Sequence, residues 1–210
     1  MLLAACWFSA SAQAQTPNAD AKNGASIAQN GLPPAVASCA SCHGAKGEGM
    51  ATFPPLAGQG ASYLRSQLDA FADGTRSNPI MAPIAKGLQA QDKADVAAYF
   101  ASLPSGLAPT TGKADSKDAG AWLVLRGRLQ DGIPACASCH GPGGAGVGEH
   151  FPAIGKLSAS YMQAQVDAWK NGSRPAGPLG LMESIAKKLS ADDVTAIAQY
   201  YAATNGAAKP

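Results

Sequence analysis

The pentapeptide CASCH occurs at residues 39–43 and again, letter for letter, at 136–140. Each copy sets two thiols three positions apart and an imidazole directly behind the second. Groups in that order serve three chemistries: a redox dithiol, part of a zinc site, or a haem anchor. A thioredoxin-type dithiol needs its CxxC in a βαβ setting, and no strand-like alternation surrounds either copy. A structural zinc site takes four ligands, usually as two close pairs. Beyond CASCH the chain adds no such ligand except the lone His150 and the leader's Cys6. Haem attachment uses the motif without remainder, since CxxCH is the signature of c-type haem. Cysteines at i and i+3 lie on one side of a helical turn, where both sulfurs can bond the vinyl groups of a porphyrin. The histidine at i+4 shares that face, and its ring reaches the iron. Cys39, Cys42, Cys136 and Cys139 are therefore the candidate thioether anchors, and His43 and His140 the candidate axial ligands of two haems.

An iron held by histidine needs a sixth ligand or keeps an open position. Methionine is the electron-transfer solution, because its thioether raises the reduction potential. The chain has five methionines, and the duplication selects among them. Met1 goes with the leader. Met50 faces glycine and valine in the second copy, and Met162 aligns with Leu64 as a core-facing helix residue. Met81 and Met182 occupy equivalent places, ahead of IAKGL and IAKKL, each after a Pro/Gly-rich approach. They are the candidate distal ligands. A ligating histidine usually gives its other ring N–H to a carbonyl, and Pro54 and Pro152, in matched Phe-Pro turns, are placed to supply it. Arg76 and Arg174 are matched as well, and serve either as propionate partners or as solvated surface residues. His150 reads as a solvated loop histidine.

These residues are positioned by a unit of about 100 residues used twice. The motifs are offset by 97, FPPLAGQGASYL and FPAIGKLSASYM by 98, and the IAK segments by 101 after a three-residue insertion. Each unit reads as helices joined by Gly/Pro-rich loops. Short helices are expected over 20–29 and 117–130, then helices opened by Ser62 or Ser160. Leu64, Leu68 and Phe71, or Met162, Val166 and Trp169, are the apolar faces of that second pair. Closing helices carry Val96, Tyr99 and Phe100, or Val194, Ile197, Tyr200 and Tyr201, with Asp92 and Ser190 as N-caps. The fold class is all-α in two tandem domains, 15–107 and 117–210, joined by a linker at 108–116. A domain of ~90 residues with few aromatics has a modest core, so each is expected to fold fully only around its haem.

Sixteen basic residues against fourteen acidic give a net charge of +2 with no run of either sign. That balance excludes a nucleic-acid footprint and strong steering by overall charge. The N-terminus, MLLAACWFSASAQA, is apolar and ends in an A-x-A pattern, an expected export signal over 1–14. It is shorter than the ~20 apolar residues a spanning helix needs. Leu3-Ala4-Ala5-Cys6 also has the form of a lipoprotein box. Once the signal is removed every remaining cysteine lies in a CASCH motif, so no disulfide framework is available.

With anchors, methionines and duplication assembled, the chain resembles the dihaem cytochrome c4 family. The likeness rests on CASCHG and FPPLAGQGASYL in the first half. In the second it rests on LRGRLQDGIPACASCHGPGGAG, FPAIGKLSASYM and LMESIAKKLSADDVTAIAQYY. It implies two class I cytochrome c domains, each wrapped around a covalent haem and related by a pseudo-twofold axis. It also implies a periplasmic electron carrier, not an enzyme, between a quinol-oxidising complex and a terminal oxidase, with peripheral membrane association open. The alternative is a cytochrome subunit relaying electrons from a periplasmic dehydrogenase or flavocytochrome. A dihaem redox enzyme needs a labile or vacant iron ligand, against which the paired methionines argue. The second copy departs from the pattern where LSASYM replaces the GQ-containing loop.

Overall fold

Two glycines permit close helix contacts, one in each unit. The computed structural model describes residues 18–50, 52–109 and 112–205; the expected export signal and Cys6 lie outside them. Helix α1 (Ala21–Asn30) is capped by Asp20, whose carboxylate accepts from the amides of Lys22 and Asn23. It buries Gly24, Ile27 and Ala28 against α5 (Ala90–Ser102). A Cβ on Gly24 would stand 2.0 Å from the Asp95 carbonyl oxygen. In the second unit α6 (Ala119–Leu125), capped by Asp118, crosses α10 (Ala191–Asn205) in the same way. There a Cβ on Gly120 would stand 2.2 Å from the Ala196 carbonyl oxygen. At this separation backbone meets backbone, and no side chain fits between.

Between these crossed helices run the remaining elements. The first unit has α2 (Ala40–His43), α3 (Ala61–Asp73) and α4 (Met81–Gly87). The second has α7 (Ala137–His140), α8 (Ala159–Lys170) and α9 (Leu181–Ala186), with three short 3₁₀ turns. Among the described residues there is no strand, only four isolated bridges, so the all-α expectation holds. Met50 pairs with Phe53, but Val147 pairs with Phe151; the second loop carries one extra residue, which is where the repeat offset grows from 97 to 98. Each unit has its own core. Ile27, Val36, Leu64, Leu88, Val96 and Phe100 form one; Leu123, Val124, Ile133, Met162, Val166, Ile197 and Tyr201 belong to the other.

Three local readings differ from the sequence expectation. The helix expected over 117–130 ends at Leu125 and resumes as a 3₁₀ turn at Leu129–Asp131. Gly127 between them has φ 72°, and a Cβ there would meet the Ile133 carbonyl at 2.4 Å, so the chain must turn. The helices expected to open at Ser62 and Ser160 begin one residue earlier. Ser158 caps α8 through the Tyr161 amide, whereas α3 follows Gly60, which has no side chain to cap it. Its donors are met from the other unit: the Ser62 amide donates to the Glu149 carboxylate at 3.0 Å and the Tyr63 amide to the Glu149 carbonyl at 2.9 Å. Asp92 is the third residue of a capping box led by Gln89, not the cap. Ser190 caps as expected, its hydroxyl accepting from the Asp193 amide at 3.0 Å.

The two units meet through a crossed set of contacts. Arg76 donates to Gln67 of its own unit and to Tyr161 and Gln165 of the other, at 2.7, 3.0 and 2.6 Å. Arg174 donates to Gln165 of its own unit and to Tyr63 and Gln67 across the interface, at 3.0, 3.2 and 3.2 Å. Exchanging the units exchanges the partners, which is what a pseudo-twofold axis requires. Each guanidinium also lies over a ring of its own unit, Phe71 at 4.4 Å and Trp169 at 4.0 Å. With 6% and 8% exposure, neither arginine is a solvated surface residue.

Carboxylates secure the outer helices differently in the two units. Asp95, 1% exposed, accepts from the Asp20 amide, Asn23 and Gln91 at 2.7–2.8 Å. Burial alone would raise its pKa, but these bonds outweigh it and hold the carboxyl below the ordinary range. The second unit has alanine at the equivalent place, Ala196. It instead clamps Asp193 bidentately with Arg128, both bonds 2.9 Å, which holds the Asp193 carboxyl down at about 2.

Gly120→Ala must push α6 off α10 and is expected to cost about 1–3 kcal/mol, read as a lower midpoint in denaturant unfolding. Asp193 is charged when folded and has a depressed pKa. The stability it contributes is present above the unfolded value near 3.8 and is lost as pH falls from there toward about 2. Asp193→Asn should therefore destabilise the protein at pH 6 and make progressively less difference between pH 4 and 2, measured by acid titration of the unfolding midpoint.

Candidate functional site

Both CASCH segments form one tight helical turn. Cys39 and Cys136 stand in right-handed helical conformation just before α2 and α7. The amides of His43 and His140 donate to the carbonyls of Cys39 and Cys136, both at 2.9 Å. This i to i+4 bond sets both cysteines and the histidine along one side of the turn. The loop behind folds back at once: Gly49 donates to the His43 carbonyl and Gly146 to the His140 carbonyl, both at 2.7 Å.

That fold-back brings the Phe-Pro turns over the imidazoles. His43 Nδ1 lies 2.8 Å from the Pro54 carbonyl oxygen, and His140 Nδ1 lies 2.7 Å from that of Pro152, the two carbonyls expected from the sequence. A carbonyl only accepts, so Nδ1 carries the proton and Nε2 keeps its lone pair. Both rings are buried, at 7% and 6% exposure. Burial lowers their pKa values, and the carbonyl bond, which favours the cation, only partly offsets it. Each is thus a neutral imidazole with a fixed tautomer and a free Nε2, the state a metal ligand requires.

The thiols lie in the opposite condition to a redox nucleophile. Burial pushes Cys39 and Cys136 up to about 11, whereas a catalytic dithiol has a depressed value. The four CASCH cysteines are half-buried and form no disulfide with one another. Among the described residues no group of three or more His, Cys, Asp and Glu side chains is arranged to hold a metal ion, so a zinc site has no support.

The candidate methionines stand at equivalent points. Met81 is the first residue of α4 and Met182 the second of α9, each half-buried, with Ala85 and Ala186 fully buried one turn on. Their approaches differ. Asn78 Oδ1 accepts from the amides of Ile80 and Met81 at 2.9 and 2.8 Å, which ties Met81 down. Met182 is reached through a 3₁₀ turn at Pro178–Gly180, in which Leu179 has φ 60° and 92% exposure. Of the other described methionines, Met50 is exposed at 48%, and Met162 is buried in the second core, as expected of a core-facing helix residue. His150 lies in an exposed loop.

The polypeptide fits a prosthetic group at the second of these turns. The Tyr201 hydroxyl is buried without a hydrogen-bond partner, in a core against which Cys136 packs. A buried hydroxyl is costly when unsatisfied, and one beside the anchor turn suits a site completed by something other than protein. Sequence reasoning missed the glutamines and tyrosines that meet the arginines, and also Glu149 and Gln59; the last's only signal was the departure from GQ to KL in the second copy.

Comparison with known proteins agrees with this geometry. The family model described as Cytochrome c matches residues 21–104, and that described as Cytochrome C oxidase, cbb3-type, subunit III matches 130–200. A cytochrome c4 from Pseudomonas aeruginosa is 40% identical over 170 residues, covering 79% of this chain and 83% of its own. The structure of reduced cytochrome c4 from Pseudomonas stutzeri superposes with a TM-score of 0.71 at 33% identity, over 87% of this chain and 97% of that one.

The chain belongs to the dihaem cytochrome c4 family.

Like the family's other members it is an electron-transfer protein of two tandem class I cytochrome c domains, with two covalently bound haem c groups, and not itself a catalyst. Within this wider group, a protein of Thiomonas intermedia named thiosulfate dehydrogenase electron acceptor is 49% identical over 176 residues, 81% of this chain and 80% of that one. The thiosulfate dehydrogenase TsdBA of Marichromatium purpuratum superposes with a TM-score of 0.76 at 38% identity over 87% of this chain. This chain covers 40% of that longer chain.

Proposed function

We propose that this chain is the periplasmic electron acceptor of a dehydrogenase that oxidises thiosulfate. The observation that carries the reading is its 49% identity, across most of both chains, to a protein bearing that role in its name. The similar segment within a longer chain named thiosulfate dehydrogenase supports it, because it puts a fold of this kind in one polypeptide with a protein of that name. The dehydrogenase replaces a quinol-oxidising complex as donor; a terminal oxidase remains the acceptor. Among the described residues no helix is long and apolar enough to cross a membrane.

In this reading the first unit, 15–107, anchors its haem through Cys39 and Cys42, with His43 and Met81 on the iron. The second, 117–210, uses Cys136, Cys139, His140 and Met182. When bound, each haem takes up one electron and releases it. A dehydrogenase removes electrons in pairs, and two one-electron sites in one chain accept both. His43 and His140 present Nε2, fixed by the Pro54 and Pro152 carbonyls. Met81 and Met182 supply the thioether that favours the reduced state. The buried interface holds the two units in one arrangement, so the second electron need not await reorientation.

The purified chain is expected to contain two c-type haems, both low-spin in the oxidised state. Mixed with a thiosulfate dehydrogenase and thiosulfate, it should be reduced far faster than with thiosulfate alone; equal rates would remove the proposed donor. Met81→Ala or Met182→Ala should lower the potential of one haem while leaving attachment intact. A redox titration unchanged by both substitutions would overturn the ligand assignment, and a high-spin haem in the unaltered protein would reopen an enzymatic role.

A further inference from the structure

Gln59, in the first unit, is inserted into the turn that holds the second unit's histidine. It is 5% exposed and grips Ala153 at both ends: its Nε2 donates to the Ala153 carbonyl at 2.9 Å, and its Oε1 accepts from the Ala153 amide at 2.8 Å. The Ala153 N–H belongs to the same peptide group as the Pro152 carbonyl. That carbonyl accepts the Nδ1–H of His140 at 2.7 Å. An unbroken line thus runs from the Gln59 amide, through one peptide group, to the imidazole.

The first unit has no such line. Position 153 corresponds to Pro55, which has no N–H to offer, and Gln59 corresponds to Leu157, which has no acceptor. Both halves of the device are therefore missing in the reverse direction. The duplication supplies the comparison: two histidines held by equivalent proline carbonyls, of which only the second is backed from across the interface.

We propose that Gln59 is a positioning residue that strengthens His140 as an electron donor and thereby lowers the potential of the second haem relative to the same site without it. This rests on His140 being the iron ligand. The physical route is hydrogen-bond cooperativity. Accepting the Ala153 N–H polarises the peptide and adds electron density to the Pro152 oxygen. A stronger acceptor draws the Nδ1 proton from the ring and makes Nε2 a more basic ligand. A more basic ligand favours the ferric state. By linkage, loss of an electron at the second site tightens the grip of Gln59 on Ala153, so the domain interface senses the redox state of one haem and not the other.

The test uses the full chain with both haems. Gln59→Leu installs the second unit's residue; Ala153→Pro installs the first unit's and removes the N–H. Each haem is titrated separately by its resolved NMR methyl signals. Both variants should raise the potential of the second haem and leave the first unchanged. The electron-sharing equilibrium between them should shift toward the second by roughly two- to tenfold, the influence of one hydrogen bond. In the reduced protein the His140 Nδ1–H should exchange faster with solvent. Simple loosening of the interface would admit water and lower the potential instead, so a fall, or no change in either variant, overturns the proposal. Failure of the ligand assignment is separate: it would show as a second haem that lacks the low-spin histidine-ligated spectrum before any substitution.

Discussion

Each unit is organised around an imidazole whose Nδ1–H is tied to a proline carbonyl. That single bond links the anchor turn to the Phe-Pro turn ten or so residues later, and the rest of the loop exists to bring them together. Gly49 and Gly146 donate back to the histidine carbonyls, closing the loop on the same residue whose ring it holds. Once the ring is buried and its tautomer set, Nε2 has one direction to face. A flexible Gly/Pro-rich segment thereby becomes a rigid support without belonging to any regular element.

The second constraint is the interface. Two guanidinium groups are buried there, and their hydrogen-bond partners are glutamine and tyrosine oxygens rather than carboxylates. Burying a charge costs several kcal/mol unless its hydrogen bonds are met, so the crossed arrangement has to be complete or it is destabilising. That requirement makes the relative placement of the units specific. The Ser77 amide, donating to the Ser173 carbonyl at 2.8 Å, joins the two chain segments next to the arginines and extends the same seam.

Within this symmetry the two units have diverged where divergence affects the sites. Asn78 ties down the approach to Met81, while the approach to Met182 is longer and exposes Leu179. The first unit's α3 borrows its cap from Glu149, and the second unit's proline turn is braced by Gln59. Near-equal domains thus give each haem a distinct setting, a condition for an electron to prefer one over the other.

Much of this was legible in the residues themselves. CASCH, repeated in a helical context without other ligands, determined the chemistry, and the duplication makes Met81 and Met182 the proposed distal ligands because they stand at equivalent positions. The proline carbonyls were legible too, since a ring N–H beside a short loop has few acceptors in reach. Local boundaries were less so: the helix after Asp118 stops at Leu125 because Gly127 must pass against Ile133, a contact that periodicity does not encode. The arginines and Gln59 show the limit most clearly. Gln59 and Ala153 are 94 residues apart, and Arg174 and Tyr63 are 111 apart. A side chain's type sets what it can bond, and that is written in the sequence. Which partner it meets across such a separation depends on how two independently packed cores come to face each other, and only the tertiary structure decides that.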